Sequence, residues 1–263
     1  MSAGTALFRA VMAAGVLAAS AVILLPLSEL FLQTSFRDIF SALRDQQVLQ
    51  SLKVSFTAAA MAAAAALVIG TPFAYLLARS SFPGKRLAEG IVDLPIMIPH
   101  PVIGIAILVA SSPRCWFGRL LQDLGIEVMG TITGITIVML FVGLPFYINT
   151  VKNGFESVPE RLEKVARTLG APVHSVFFRV TLPLAWRSIL VGLIMCMARA
   201  LSEFGAVVIV AYHPMIAPVL IFDRFTAYGM KWAMPVAVLL ILVSLALFVL
   251  LRFLNRPVKA GAG

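Results

Sequence analysis

Residues 232–251 read WAMPVAVLLILVSLALFVLL, a run of twenty residues without a charged side chain. An α-helix needs about 20 predominantly apolar residues to cross the hydrocarbon core of a bilayer. Further charge-free runs cover residues 10–28, 54–78, 94–113, 128–151 and 204–222. The sequence therefore predicts an all-α integral membrane protein that crosses the bilayer several times.

The composition of the whole chain agrees with this prediction. Of its 263 residues, 60% are apolar and 13% are charged, and the mean hydropathy is +0.99. Soluble domains carry about 25% charged residues, so this chain has too few charges to cover the surface of a soluble protein. Disorder is excluded as well, because so apolar a chain would not stay solvated.

We predict six transmembrane helices, near residues 8–31, 52–79, 91–111, 130–151, 187–211 and 232–254, in a single domain that spans residues 1–263. Pro214 and Pro218 make the second half of the 204–222 run a poor helix. We therefore place the fifth helix at 187–211, with Arg199 and Glu203 inside it. The first apolar run is longer than the core of a typical signal peptide, so we predict that it is retained as a span.

The basic residues predict the orientation. If both termini are cytoplasmic, the inner segments hold thirteen Lys and Arg residues and the outer segments hold seven. Because cytoplasmic loops are enriched in Lys and Arg, we predict a multi-pass protein of the plasma (inner) membrane with both termini in the cytoplasm. The basic residues that face the lipid bilayer also account for the net charge of +9. We therefore expect no nucleic acid partner.

The longest inner loop covers about residues 152–186. Its first helix is predicted to begin near Pro159, with Ser157 as the cap, and to end at Gly170, because glycine tolerates the left-handed conformation of a helix end. A second short helix is predicted between Pro172 and Pro183. Both are amphipathic, which fits either helices that lie on the bilayer or a surface that binds a cytosolic partner.

This loop resembles the EAA loop of the membrane subunits of ABC importers, whose pattern is E-A-A-x3-G-x9-I-x-L-P. Aligned on Gly170, the pattern places its second alanine at Ala166, its isoleucine at Val180 and its Leu-Pro pair at residues 182–183. The glutamate position is occupied by Lys164.

The resemblance implies that the loop is a coupling helix, which docks in a groove of a separate ATPase subunit. Glu163 lies one residue before the glutamate position and is the candidate substitute for its ATPase contact. On this basis the residues expected to couple the chain to the ATPase are Glu163, Lys164, Ala166, Gly170, Ala171, Pro172, Phe177, Leu182 and Pro183.

The segments at 71–85, 90–108 and 198–218 resemble permeases that serve tetrahedral oxyanions, with molybdate/tungstate permeases more similar than sulfate permeases. This resemblance implies a homodimer with two ATPase subunits and an extracytoplasmic oxyanion-binding protein. The chain has no G-x4-G-K-[ST] phosphate loop, so we expect it to carry no cofactor and to be no enzyme. ATP and Mg²⁺ would then be bound by the ATPase partner.

Polar residues within the predicted spans are the candidates for the translocation pathway. Arg199 and Glu203 are expected to form an ion pair, either as a structural lock or with Arg199 attracting the anion. In the third span, Asp93, Pro99 and His100 surround a break imposed by three prolines, which either lines the pathway or is a structural kink. We expect His100 to be neutral and packed, and no metal site, because the other two histidines lie in distant segments.

The main functional prediction is the membrane subunit of an ATP-driven importer that moves molybdate or tungstate inward by alternating access. The alternatives are a sulfate-type permease of the same family and an ATP-independent carrier or channel. An intramembrane hydrolase is disfavoured because the chain lacks G-x-S-x-G, H-E-x-x-H and paired intramembrane aspartates.

Overall fold

The computed structural model describes residues 3–254, and this part of the chain contains helices and no strand. The helices are α1 Ala3–Gln33, α2 Phe36–Arg44, α3 Gln46–Arg79, α4 Lys85–Met97, α5 His100–Ser111, α6 Trp116–Asp123, α7 Ile132–Ser157, α8 Glu160–Thr168, α9 Val173–Val176, α10 Leu182–Leu201, α11 Val207–Val210, α12 Ala217–Tyr228 and α13 Met230–Leu254, and a π-helical turn, Phe177–Thr181, joins α9 to α10.

Five helical segments are long and apolar enough to cross a membrane: those in α1, α3, α7 and α13, and the continuous segment Val173–Leu201. The pair α4 and α5 meets the same criterion only together, and its axis bends by 112° at the junction. The chain therefore has five candidate spans, or six if the bent pair is one broken span. The predicted all-α membrane fold is confirmed.

The break between α4 and α5 lies where the prolines predicted it. Ile98, which precedes Pro99, is extended (φ −78°, ψ 132°), as expected for a residue whose helical conformation clashes with the proline ring. Pro99 is the N-cap of α5 and Pro101 lies in its first turn, where a missing N–H costs nothing.

The predicted bounds of the fifth helix, 187–211, are wrong at both ends. The helix begins earlier because Pro183 lies in the first turn of α10, where proline is tolerated, instead of ending a helix. It ends at Leu201, and beyond this end the side chain of Glu203 reaches forward and accepts a hydrogen bond from the backbone N–H of Ala206 (2.9 Å). This bond satisfies a donor that a continuing helix would use itself.

Two further helices extend beyond their predicted ends. α3 begins at Gln46 instead of 52, because the carboxylate of Asp45 caps it by accepting from the N–H groups of Gln47 and Val48. α7 continues to Ser157 instead of 151, and the Ser157 hydroxyl donates to the carbonyl of Gly154 (2.7 Å). The prediction that Ser157 caps the following helix is therefore wrong. The N-cap of α8 is Pro159.

The core of the bundle is formed by α3, α7 and α10. Small residues allow these helices to approach closely: a Cβ added at Gly143 of α7 would lie 2.7 Å from the Sγ atom of Cys196 in α10. A buried hydrogen bond joins the hydroxyls of Thr71 in α3 and Tyr147 in α7 (2.6 Å). The three helices thus form a rigid frame for the loops at their ends.

The ends of α3 and α7 and the start of α10 lie together at one end of this frame, called here the loop end. Arg79 in the last turn of α3 donates from Nη2 to the carbonyl of Val158, directly after α7 (2.8 Å). At another connection of the bundle, Arg224 of α12 pairs with Asp45 at the start of α3 (2.6 Å). The two contacts fix opposite ends of α3.

Candidate functional site

The α8 helix at the loop end forms as the sequence predicts. Glu160 and Glu163 lie in its first turn and Arg167 in its last, which complements the helix dipole. Gly170 has φ +88° and ends the helix, and the N–H of Ala171 donates to the carbonyl of Ala166 (3.1 Å). A residue with a Cβ would be strained at Gly170.

The apolar face of α8 does not pack against the rest of the chain. Leu162, Val165 and Leu169 are exposed, and Leu169 keeps 83% of its surface. Val173 continues this surface across the turn at Gly170. An unpaired apolar stripe of this kind marks a contact with a membrane or another protein. We call Leu162, Val165, Leu169 and Val173 the apolar stripe.

Glu163 lies on the other side of α8 and points into the bundle. Its Oε1 accepts from Nε of Arg79 (2.8 Å) and from Oγ1 of Thr181 (2.9 Å), and its Oε2 accepts from the hydroxyl of Tyr75 (3.2 Å). The side chain of Glu163 is 13% exposed. These three partners are not apparent from the sequence pattern, because they lie in segments far from Glu163 or outside its helix.

Lys164, at the glutamate position of the EAA pattern, is exposed and pairs with Glu160 one turn earlier (3.0 Å). The hydrogen bond from Lys164 lowers the pKa of Glu160. Both side chains face solvent, and exposed pairs of this spacing contribute little to stability. Lys164 therefore presents its charge at the surface of the chain.

The other seven residues predicted for coupling differ in their exposure and contacts. Gly170 and Pro172 are exposed at the turn and Ala171 is half-buried beside them. Phe177 packs its ring against Tyr75 (centroids 4.9 Å apart), so it supports the bundle and does not project towards a partner. The remaining three are Ala166 and Leu182, which are half-buried, and Pro183, which is exposed.

The predicted ion pair between Arg199 and Glu203 is present. Nη2 of Arg199 donates to Oε2 of Glu203 (2.9 Å), with the side chains 19% and 1% exposed. Glu203 lies beyond the end of α10, so the pair joins the helix to the following turn instead of lying inside the helix as predicted.

His100 completes this cluster from the start of α5. Its Nδ1 lies 2.9 Å from Oε2 of Glu203 and 3.0 Å from Nη2 of Arg199. Its side chain is 46% exposed, so the expectation of a packed histidine is wrong. The approach depends on Gly205, where an added Cβ would lie 2.9 Å from the Cβ of His100. We call Arg199, Glu203 and His100 the break cluster, because it connects the α4–α5 break to the end of α10.

Asp93 belongs to a different contact. Its Oδ1 accepts from Nδ2 of Asn149 in α7 (2.7 Å), and one turn away Lys152 of α7 pairs with Glu89. These bonds attach α4 to α7, while Pro99 is exposed at the break. The structure thus brings His100, Arg199 and Glu203 together and joins Asp93 to another helix.

Within residues 3–254, no group of three or more His, Cys, Asp or Glu side chains could hold a metal ion. Cys115 and the buried Cys196 are both unpaired thiols.

Comparison with known proteins assigns the fold and the family. The family described as binding-protein-dependent transport system inner membrane component matches residues 70–259. The molybdate/tungstate transport system permease protein of Thermococcus kodakarensis is 41% identical over 236 residues, 89% of this chain and 90% of the relative. A probable sulfate transport system permease protein of Zygnema circumcarinatum is 33% identical over 246 residues, 91% of this chain and 85% of the relative.

The fold matches a solved structure at low sequence identity. The bacterial alginate ABC transporter in complex with an alginate pentasaccharide-bound periplasmic protein has a chain that superposes with a TM-score of 0.76 at 15% identity, over 98% of this chain and 96% of that one. The relatives are transport subunits and not enzymes, in agreement with the prediction from the sequence.

Proposed function

This chain belongs to the family of binding-protein-dependent transport system inner membrane components, and we propose that it moves a tetrahedral oxyanion into the cytoplasm by alternating access, driven by ATP that a separate subunit hydrolyses. It is a permease subunit of an ABC importer. The proposal concerns its cargo, its source of energy and its mechanism.

Molybdate or tungstate is the proposed cargo. Permeases named for these anions are 41% identical to this chain over nine-tenths of its length, against 33% for a permease named for sulfate. Sulfate is therefore the second candidate. We propose that an extracytoplasmic oxyanion-binding protein delivers the anion and sets most of the selectivity.

The observation that carries the ATP-driven mechanism is the exposed apolar stripe on a helix whose opposite side is bonded to the bundle. The bonds of Glu163 hold α8 in one orientation with its stripe outward, and a partner binds such a preorganised surface at a lower cost in ordering. We propose that α8 and the turn at Gly170 form the coupling helix, with Lys164 on its exposed surface. ATP and Mg²⁺ are bound by the ATPase partner, and this chain carries no cofactor.

The break cluster is the proposed contact with the pathway. The buried carboxylate of Glu203 compensates much of the charge of Arg199, so the cluster offers a weak attraction and no tight anion site. Weak binding favours release during transport. We further propose that Asp93 and Pro99 lie on the adjacent broken span, and that two copies of the chain enclose the pathway with two ATPase subunits.

We propose that the chain lies in the plasma (inner) membrane. In the proposed orientation, the loop end and both termini are on the cytoplasmic side. The basic residues of the inner segments support this orientation. It exposes the apolar stripe to the compartment that holds ATP.

Reconstitution tests the proposal directly. The chain is coexpressed with its ATPase, placed in vesicles, and assayed for molybdate, tungstate and sulfate uptake with purified oxyanion-binding protein. We expect copurification of the ATPase and uptake only with ATP. Uptake without ATP or an ATPase would establish the alternative, an ATP-independent carrier or channel.

A variant pair tests the coupling helix within the same assay. Gly170→Asp should fold but lose the ATPase or its stimulation, because an L-residue is strained at φ +88° and a new charge is added beside the docking surface. Gly84→Asp is the control: Gly84 has φ +90°, also lies at the loop end and has open space around its Cα, but it is outside α8. Normal stimulated uptake in Gly170→Asp would exclude α8 as the coupling element.

A further inference from the structure

We propose that Glu163 is a positioning residue, which fixes the coupling helix to α3 and α10 and transmits its movement to them without touching the ATPase. This inference rests on the proposed function, since it specifies how α8 acts on the pathway. It replaces the ATPase contact expected for Glu163 from the sequence.

The carboxylate of Glu163 is the point where three segments meet. Arg79 and Tyr75 lie in the last turns of α3, and Thr181 ends the π-helical turn directly before α10. All three donate to the two carboxylate oxygens at 2.8–3.2 Å. Because the acceptor is charged, these are stronger than hydrogen bonds between neutral groups.

Little else holds α8 to the spans. None of its residues is buried, and Leu162, Val165 and Leu169 face outward. Among the residues described, Glu163 is the only side chain of α8 that forms a hydrogen bond or ion pair outside its own helix. The orientation of α8 therefore depends largely on this one carboxylate.

The partners of Glu163 are themselves rigidly placed. The ring of Tyr75 packs edge-on against Phe155 of α7 (5.4 Å) and Phe177 of the π-helical turn (4.9 Å). Thr181 is fully buried. Arg79 also donates to the carbonyl of Val158, which fixes the start of the connection to α8. A shift of α8 thus moves the ends of α3 and α10 together, because closely packed side chains are nearly incompressible and transmit displacements.

The same geometry argues against a direct ATPase contact. Glu163 lies on the side of α8 away from the apolar stripe, and both oxygens already accept hydrogen bonds. To reach a partner, the carboxylate would have to leave three donors, two of which are little exposed. Lys164, whose side chain is 73% exposed, is better placed to meet a partner.

The test compares Glu163→Gln with Glu160→Gln in the reconstituted complex. Both remove one negative charge from the same helix, but Glu160 is exposed and bonded only to Lys164, so it is the matched control. For Glu163→Gln we expect normal copurification of the ATPase and about a tenfold loss of anion uptake per ATP hydrolysed, since one hydrogen bond to a charged group is worth roughly this factor in an equilibrium constant. Glu160→Gln should keep the wild-type ratio.

Thr181→Val and Arg79→Lys extend the test. Thr181→Val removes only the donor next to α10 and should lower the ratio of uptake to hydrolysis without releasing the ATPase. Arg79→Lys keeps a positive charge and should retain part of the ratio. If Glu163→Gln yields no folded protein, Thr181→Val decides by the same comparison.

Two results would overturn the inference while leaving the proposed function intact. One is folded Glu163→Gln that no longer binds the ATPase, which would make Glu163 a docking residue. The other is an uptake ratio equal to that of Glu160→Gln. A wild-type chain that transports without any ATPase would overturn the proposed function and this inference together.

Discussion

Removing one member of the Arg199–Glu203 pair should harm the protein more than removing both. Arg199→Met leaves the carboxylate of Glu203, which is 1% exposed, with only His100 and the N–H of Ala206 as partners. An uncompensated charge of this kind costs about 3–5 kcal/mol. Since ~1.4 kcal/mol corresponds to a factor of ten, the equilibrium constant for folding should fall by roughly two to three and a half orders of magnitude relative to wild type.

Glu203→Gln should be milder. Arg199 is 19% exposed and keeps contacts with His100 and with the hydroxyl of Ser202, so the guanidinium can recover part of its solvation. We expect a cost of about 1–3 kcal/mol, the usual range for a buried group that loses its partner. The double variant removes both charges, and buried pairs replaced in this way are often close to neutral.

The assay is the fraction of monodisperse protein that remains in detergent after heating, measured for wild type, both single variants and the double variant. The expected order of loss is Arg199→Met, then Glu203→Gln, then the double variant. If the double variant is the least stable of the three, the two charges act independently and the argument from burial fails. The reading in which Arg199 serves chiefly to attract the anion would then gain support.

Three further predictions concern other parts of the chain. With a membrane-impermeant thiol reagent, Gln122→Cys should react from outside and Pro172→Cys only from inside; the reverse pattern would contradict the proposed orientation. Burial tends to raise the pKa of Asp45, but the hydrogen bonds from its arginine partner and from the start of α3 outweigh it and lower the pKa. The stabilising effect of the Asp45 carboxylate is therefore present above its unfolded-state pKa and is lost as the pH falls through its folded-state pKa. Wild type should be more thermostable than Asp45→Asn at neutral pH, and this advantage should vanish in acid. An advantage that persists in acid would show that the charge is not responsible. Gly205→Ala should cost ~1–3 kcal/mol by overpacking the break cluster. Gly90→Ala, inside α4 with open space around it, should instead stabilise by up to ~1 kcal/mol, and equal melting curves for both variants would contradict the close approach.

Local features of the sequence were enough to predict much of the fold. Charge-free runs identify helices that cross a bilayer because length and hydropathy are properties of a single segment. The break before His100 was predictable for the same reason, since proline acts on its immediate neighbours. The turn at Gly170 follows from the conformational freedom of one residue.

The helix ends were predicted less well where a hydrogen bond to a single side chain decides them. α10 stops at Leu201, just before Glu203 accepts from the N–H of Ala206, and α3 begins six residues early because Asp45 caps it. Hydropathy contains no information about such bonds.

The sequence by itself determined that this chain is a helical membrane protein with an amphipathic loop, because apolar length and residue spacing are local. The spaced motif of that loop predicted the permease family that the comparisons show. Only the tertiary structure decided what the ionisable residues do. Glu163 meets Arg79, and His100 meets Glu203, across separations of 84 and 103 positions in the chain. No periodicity connects residues so far apart; they are neighbours because close packing of α3, α7 and α10 and the break before α5 bring their ends together.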